Sequence, residues 1–338
     1  MSSVPHLDVA FSWNGGVAGH AFFPVVKAVR PEWQTELVKY RYFTEGISNK
    51  LIGAHTGATM DDDPDAILIR IHGNDTDLLI DREREKQTFK LLFDHKCSTA
   101  RLLATFNNGC SYSYIAGRPL DVEDVRQPDI CKLIISRMVQ MHGIHQSDDA
   151  SSCVPALFST LDKWMEIVSS DMRTQRTERM ERDVPSAEVL VAELQLLRDS
   201  LVPLNSKVVF CHNDLLVKNI IISKAKDSVT FIDNEYANFN YRAFDIADHF
   251  CEFAGVDNVD YSRYPDKDFQ MQWLQLYLEE TARQSGSERS IDTDEIENLY
   301  VEVNKFALAS KSPVLGRMGT STSNTLRYRI RLLRVCHY

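Results

Sequence analysis

Five positions in one short stretch could carry phosphoryl-transfer chemistry: His212, Asn213 and Asp214, then Asn219, then Asp233 closing the apolar run Val229-Thr230-Phe231-Ile232. Moving a phosphoryl group asks little covalent chemistry of a protein. It asks for a carboxylate to take the proton of the attacking hydroxyl, and for oxygen ligands to a magnesium ion that neutralises phosphate charge. Asp214 suits the first task, and Asn219 with Asp233 suits the second. The cofactor expectation is therefore Mg2+, with ATP as co-substrate. The elements that must position these groups follow from the surrounding pattern. Val208-Val209-Phe210 reads as a strand delivering the His212 loop, Asn219 to Ile222 as a second strand, and Ser228 to Ile232 as a third. Lys224 to Asp227 supplies a polar turn, so the hairpin brings Asn219 at its entry back toward Asp233 at its exit.

The bulk of the chain sets bounds. Its 338 residues suffice for one large domain or two lobes, and 43% hydrophobic with 25% charged residues is ordinary for a globular protein. A formal charge of −10 argues against nucleic acid or an anionic membrane as main partner, since both select basic surface. No apolar run approaches a membrane span, and the first residues lack the basic start and apolar core of a signal peptide. Seven cysteines without CxxC spacing indicate neither a zinc site nor a disulfide framework. The expectation is a reduced, cytoplasmic enzyme without stable membrane insertion, with a homodimer left open.

Upstream, residues 1–28 show no strong periodicity and read as a loosely attached leader. A short helix near Val29–Trp33 and a strand over Leu37–Phe43 follow. Ala66–Gly73 is a nearly all-apolar strand with one cation, Arg70, inside it; a buried arginine requires an anionic partner. Asp81–Phe93 is a charged amphipathic helix containing Glu85, and Arg70 with Glu85 stands in the order of the strand Lys and helix Glu that hold ATP phosphates in protein kinases. The alternative is that Glu85 is one of a run of solvated charges. The acidic turn Asp61–Asp65 carries no required function. Ser111–Ile115 occupies the place of a hinge strand, where backbone groups of Ser113 and Ile115 could read an adenine edge. Ile130–His145 has helical apolar spacing; its His142 and His145 invite a metal reading, but core or capping roles fit better because no further ligands stand nearby. Helices are also expected over Leu157–Val168, Ser186–Leu201, Phe269–Gln284 and Thr293–Ser310.

From Val208 to Glu252 the chain resembles the choline/ethanolamine kinase family, which shares HNDxxxxN and then IDxEYxxxNYxxxDIxxHFxE. Here these are His212, Asn213, Asp214 and Asn219, followed by Ile232-Asp233, Glu235-Tyr236, Asn240-Tyr241, Asp245-Ile246, His249-Phe250 and Glu252. The resemblance runs from about Val29 to Ser310. It implies an α+β, protein-kinase-like two-lobed fold: a small β-rich N-lobe over 29–117 for nucleotide and a larger, mostly helical C-lobe over 118–310 for catalysis and substrate. It also implies that a loop containing Gly46, Ser48 and Asn49 covers the ATP phosphates, and it supports the Arg70–Glu85 pair.

Substrate expectations rest on charge. Glu235, Asp245 and Glu252 follow Asp233 closely, with Tyr236 among them. A primary ammonium has three N–H donors that carboxylates satisfy, whereas a quaternary ammonium prefers an aromatic cage. Asp245 has a second reading, as a cap on the backbone of the His212 loop. The segments Glu252–Val256 and Val259–Tyr261 look more like ethanolamine kinases than choline kinases, so phosphorylation of ethanolamine to phosphoethanolamine leads, with choline as the alternative substrate. After Ser310 the resemblance stops. Lys311 to Tyr338 carries six Lys/Arg and no Asp or Glu, and Pro313 should end the preceding helix. A divergent tail over 311–338 is therefore expected, and it leaves a weakly active or inactive member of the same fold as a further alternative to the ethanolamine kinase reading.

Overall fold

The computed structural model describes residues 4–12, 19–43, 49–73, 81–145, 154–174, 186–255 and 259–310. Gly46, Ser48 and the tail 311–338 lie outside them. The chain divides into two units, one up to Pro119 plus Ile221–Glu235, the other Leu120–Ile220 plus Tyr236 onward.

The first unit is built on strands β1 (His6–Leu7), β2 (Lys39–Phe43), β3 (Asn49–His55), β4 (Ile67–His72), β5 (Leu102–Phe106) and β6 (Gly109–Ser113), in the sheet order β1-β5-β6-β4-β3-β2. All pairs are antiparallel except β1 with β5. Interior β4 explains its own sequence: a strand covered on both faces reads as a continuous apolar run, and Ile67 and Ile69 are fully buried. Each such side chain contributes about 1.5–3 kcal/mol by leaving water. Helix α1 (Phe23–Val29) packs Val25 and Val26 with Phe22 into the same core, beside Ile52 and Ile69. The leader expected over 1–28 is thus corrected. Among the described residues Phe22, Val25 and Val26 are core residues, missed because a two-residue strand and a two-turn helix show no sustained period.

Helix α2 (Arg82–Asp94) starts where Asp81 caps it, accepting the Arg84 amide at 3.1 Å, with Glu83 and Glu85 in the favourable first turn. The acidic turn is not idle either. Asp61 accepts the Tyr114 hydroxyl at 2.8 Å and the Gly117 amide, and Asp63 accepts the Thr56 and Gly57 amides. Burial and the bond to Asp61 push Tyr114 up to about 12. Strand β7 (Arg118–Pro119) then pairs with β9 (Ile220–Ile222), which a hairpin joins to β10 (Val229–Phe231). Gly117, at φ 145, is required there: a Cβ would overlap the Ile222 carbonyl oxygen.

The second unit holds helices α3 (Pro128–His142), α4 (Ala156–Thr174), α5 (Ala187–Leu201), α6 (Arg242–Cys251), α7 (Lys267–Gln284) and α8 (Thr293–Ser310). Strand β8 (Val208–Cys211) pairs antiparallel with β11 (Asn238–Tyr241). Pro128 opens α3 at the position where its missing N–H costs nothing; Ser186 caps α5 and Asp266 caps α7. Trp273 and Tyr277 stack at 6.0 Å in the core, with Phe250 edge-on to Trp273. Among the described residues no helix is long and apolar enough to cross a membrane.

Candidate active site

The His212 loop leaves β8 and is held by α6. The His212 amide donates to Asp245 Oδ2 at 2.9 Å and the Asn213 amide to Asp245 Oδ1 at 2.7 Å. The Asp214 amide donates to His212 Nδ1 at 3.3 Å, and the Leu215 amide to Asp248 Oδ2 at 2.9 Å. Four successive N–H groups are therefore satisfied from within the unit. Asn213 sits in the left-handed region at φ 67, a conformation Asn tolerates better than most residues but one that still costs energy. Its side chain accounts for that cost: Nδ2 donates to the Tyr236 carbonyl at 2.9 Å, and Oδ1 accepts from Asn240 at 2.7 Å. Asp214 itself is half-buried at the loop tip.

Asp245, expected among the amine ligands, is corrected to the capping role. It is 1% exposed and both oxygens hold the loop. His142 Nε2 lies 3.0 Å from Asp245 Oδ2, and His142 Nδ1 lies 2.8 Å from the Tyr277 hydroxyl, which makes His142 a core histidine. Burial pushes the Asp245 carboxyl up, yet its bond to His142 and the charges beside it leave it below the usual value. Cys211 completes a cluster in which the three side chains lie within 4.8 Å. Burial, with Asp245 alongside, pushes that thiol well above its ordinary value. The Cys211 thiol is turned to the Asn240 and Tyr241 carbonyls, and the Asp245 oxygens are taken by the loop amides and His142.

In the first unit Arg70 is buried on β4 and pairs with Glu85 of α2, as expected from their order. Arg82 joins Glu85 at 3.0 Å. Glu235, expected at the amine, is instead buried beside these cations, 3.7 Å from Arg70 and 3.8 Å from Arg82. Asp233 stands 3.6 Å from Arg70 with 42% of its side chain exposed, at a left-handed φ of 60. Arg70 Nε is buried and makes no hydrogen bond. A guanidinium with an unspent donor beside an exposed carboxylate has the chemistry to take a phosphate together with its cation. Asn49 enters as the first residue of β3, paired with His72. The Ser113 amide donates to the Arg101 carbonyl at 3.0 Å, so its own carbonyl is what it can offer a base.

Magnesium takes oxygen ligands, and each of the two expected residues, taken within its own unit, has an oxygen to offer. Asn219 donates its Nδ2 to the Asp214 carbonyl at 3.0 Å, leaving Oδ1 as an acceptor, and Asp233 keeps an accessible carboxylate. Asn219 belongs to the second unit and Asp233 to the first. Glu252 follows α6 in a short 3-10 turn and is buried; Tyr236 is half-buried and edge-on to Trp164 at 6.3 Å. Sequence reasoning missed Asp248, Asn240 and Arg82. Asp248 was findable, standing one helical turn after Asp245 on the same helix face.

Comparison with known proteins gives these features a family. The model of the choline/ethanolamine kinase family matches residues 40–312. Ethanolamine kinase 2 of Mus musculus is 43% identical over 286 residues, covering 85% of this chain and 70% of that protein. Among solved structures, an ethanolamine kinase of Plasmodium vivax superposes with a TM-score of 0.77 at 25% identity, covering 93% of this chain and 86% of that one. A choline kinase of Cryptosporidium parvum gives 0.74 at 19% identity, covering 93% of each chain. The fold is therefore protein-kinase-like, and the chain belongs to the choline/ethanolamine kinase family, phosphotransferases that move a phosphoryl group from ATP to an alcohol.

Proposed function

We propose that the chain is an ethanolamine kinase, converting ethanolamine and ATP to phosphoethanolamine and ADP, with choline as the alternative acceptor. The observation that carries it is the His212 loop, whose four amides are all engaged so that Asp214 is presented at its tip. Asp214 takes the proton of the substrate hydroxyl as the hydroxyl oxygen bonds to the γ-phosphorus; the bond from that phosphorus to the bridging oxygen breaks and ADP leaves. General-base help of this kind contributes about 10²–10⁴-fold. Arg70, oriented by Glu85, holds phosphate oxygens, and backbone groups around Gly46, Ser48 and Asn49 add donors. Asn219 and Asp233 hold Mg2+, which neutralises phosphate charge when bound. Backbone groups of Ser113 and Ile115 read the adenine edge, and Glu252 with Tyr236 receives the ammonium end. The preference for ethanolamine is supported by relatives that bear that name at about 40% identity.

The test is ADP release from the purified chain with Mg-ATP, comparing ethanolamine with choline. Asp214→Ala should lower kcat by about 10²–10⁴-fold while leaving KM and thermal stability nearly unchanged. Faster turnover on choline would reverse the substrate assignment. The family match ends at residue 312, so the tail enters the same test. No turnover from a folded chain that still gains thermal stability from Mg-ATP would identify an inactive member of the family.

A further inference from the structure

The His212 loop is held by two carboxylates of α6, and only one belongs to the pattern that marks the site. Asp245 takes the first two amides. The amide of Leu215, the residue directly after Asp214, goes to Asp248 Oδ2 at 2.9 Å. Leu215 is fully buried and Asp248 is 6% exposed, so water does not replace this bond readily. The other oxygen of Asp248 accepts the Ser310 hydroxyl at 2.8 Å. Ser310 is the last residue of α8 and is itself 4% exposed. A continuous chain thus runs from the end of α8 through one carboxylate to the peptide bond that follows Asp214. Within it Asp214 is bracketed: Asp245 fixes the backbone before it and Asp248 the backbone after it.

We propose that Asp248 is a positioning residue for the transfer step, setting the direction of the Asp214 carboxylate, and that it makes this direction depend on how α8 ends at Ser310. The inference rests on the kinase reading for its activity readout but not for its structural one. In this role Asp248 acts on the transfer through the loop, by way of the Leu215 amide. Misplacing a reacting group by about 1 Å costs up to about 10²-fold, which sets the scale of the effect.

The test uses the full chain and the variants Asp248→Ala, Asp248→Asn and Ser310→Ala. Asp248→Ala should lower kcat by about 10- to 100-fold, with KM for Mg-ATP and for ethanolamine within about twofold. Asp248→Asn should restore kcat to within about threefold, because its carbonyl can still accept the Leu215 amide while the Ser310 hydroxyl rotates to accept from the new N–H. Ser310→Ala should cost only a fewfold, and should cost nothing further on top of Asp248→Ala, the non-additivity expected of residues in one network. Hydrogen exchange at the Leu215 amide should speed up about 10-fold or more in Asp248→Ala and stay near wild type in Asp248→Asn. Wild-type kcat in Asp248→Ala, unchanged exchange at Leu215, or loss of kcat in step with the folded fraction in both Asp248 variants would each overturn the proposal. Absence of wild-type turnover would sink the kinase reading instead, and the exchange measurement would still decide the role of Asp248.

Discussion

Two polar clusters, one in each unit, handle their charges in opposite ways. Around the His212 loop every carboxylate oxygen of Asp245 has a named donor and the loop amides are used up. Around Arg70 three carboxylates, Glu85, Asp233 and Glu235, converge on one guanidinium, two of them at loose distances of 3.6 and 3.7 Å, and Nε is left over. A saturated cluster is a scaffold: it stabilises a single geometry and offers a ligand nothing. An unsaturated one costs free energy in the absence of a ligand and recovers it when an anion arrives. Under the proposed function, the difference separates a cluster that aims from a cluster that binds.

If the loop cluster is a scaffold, breaking it should produce the largest effect on stability. Asp245→Ala leaves two backbone amides and His142 without their acceptor, at roughly 1–3 kcal/mol each, so a loss of at least about 3 kcal/mol is expected in urea unfolding. Asp245→Asn should be nearly as harmful. Both oxygens of Asp245 face N–H donors, and an amide NH2 in either place sets donor against donor. An Asp245→Asn variant within 1 kcal/mol of wild type would show that the loop does not depend on this saturation.

Acid should attack the same scaffold in a defined window. His249 is fully buried on α6 among Phe250, Phe253 and Trp273, and neither ring nitrogen makes a well-formed hydrogen bond. Burial pushes it down to about 4, although Asp245 and Glu252 pull the other way. The folded protein therefore keeps His249 neutral where the unfolded chain protonates it. Stability is retained above the ordinary value of 6.5 and falls between pH 6.5 and pH 4, by about 3 kcal/mol in all. Asp245, held below its ordinary value, gives up its own contribution only at more acid pH. Urea midpoints measured from pH 7 to pH 4 should show the fall, and His249→Phe should flatten it. An unchanged slope in that variant would assign the acid sensitivity elsewhere.

Much of this was legible in the sequence, for identifiable reasons. His212, Asp214, Asn219 and Asp233 sit at fixed spacings in a strand–loop–hairpin context, and both strands of the hairpin form close to where their apolar runs place them. Arg70 and Glu85 were legible because a cation inside an apolar strand must have an anion nearby. What escaped was set by tertiary partners. Glu235 looks like a free carboxylate until Arg82, the first residue of a charged helix, turns toward it. Asp245 offers the same side chain to an ammonium or to a backbone, and only the position of α6 against β8 decides. Phe22, Val25 and Val26 look like part of a leader because their helix is too short to display a period.

The binding cluster gives the smallest effect, and a selective one. Arg70→Lys keeps the charge that balances Glu85, Asp233 and Glu235 but removes the planar fork and Nε. Because the fork's unspent donor is assigned to phosphate rather than to folding, the variant should keep most of its stability without ligand. The KM for Mg-ATP should rise about tenfold, close to 1.4 kcal/mol, with the KM for ethanolamine nearly unchanged. Thermal stabilisation by Mg-ATP should shrink in proportion. The opposite result, an intact response to Mg-ATP with a large loss of stability in the free protein, would mean that Arg70 is as fully committed to the fold as Asp245. The contrast between an aiming cluster and a binding cluster would then fail at its second member.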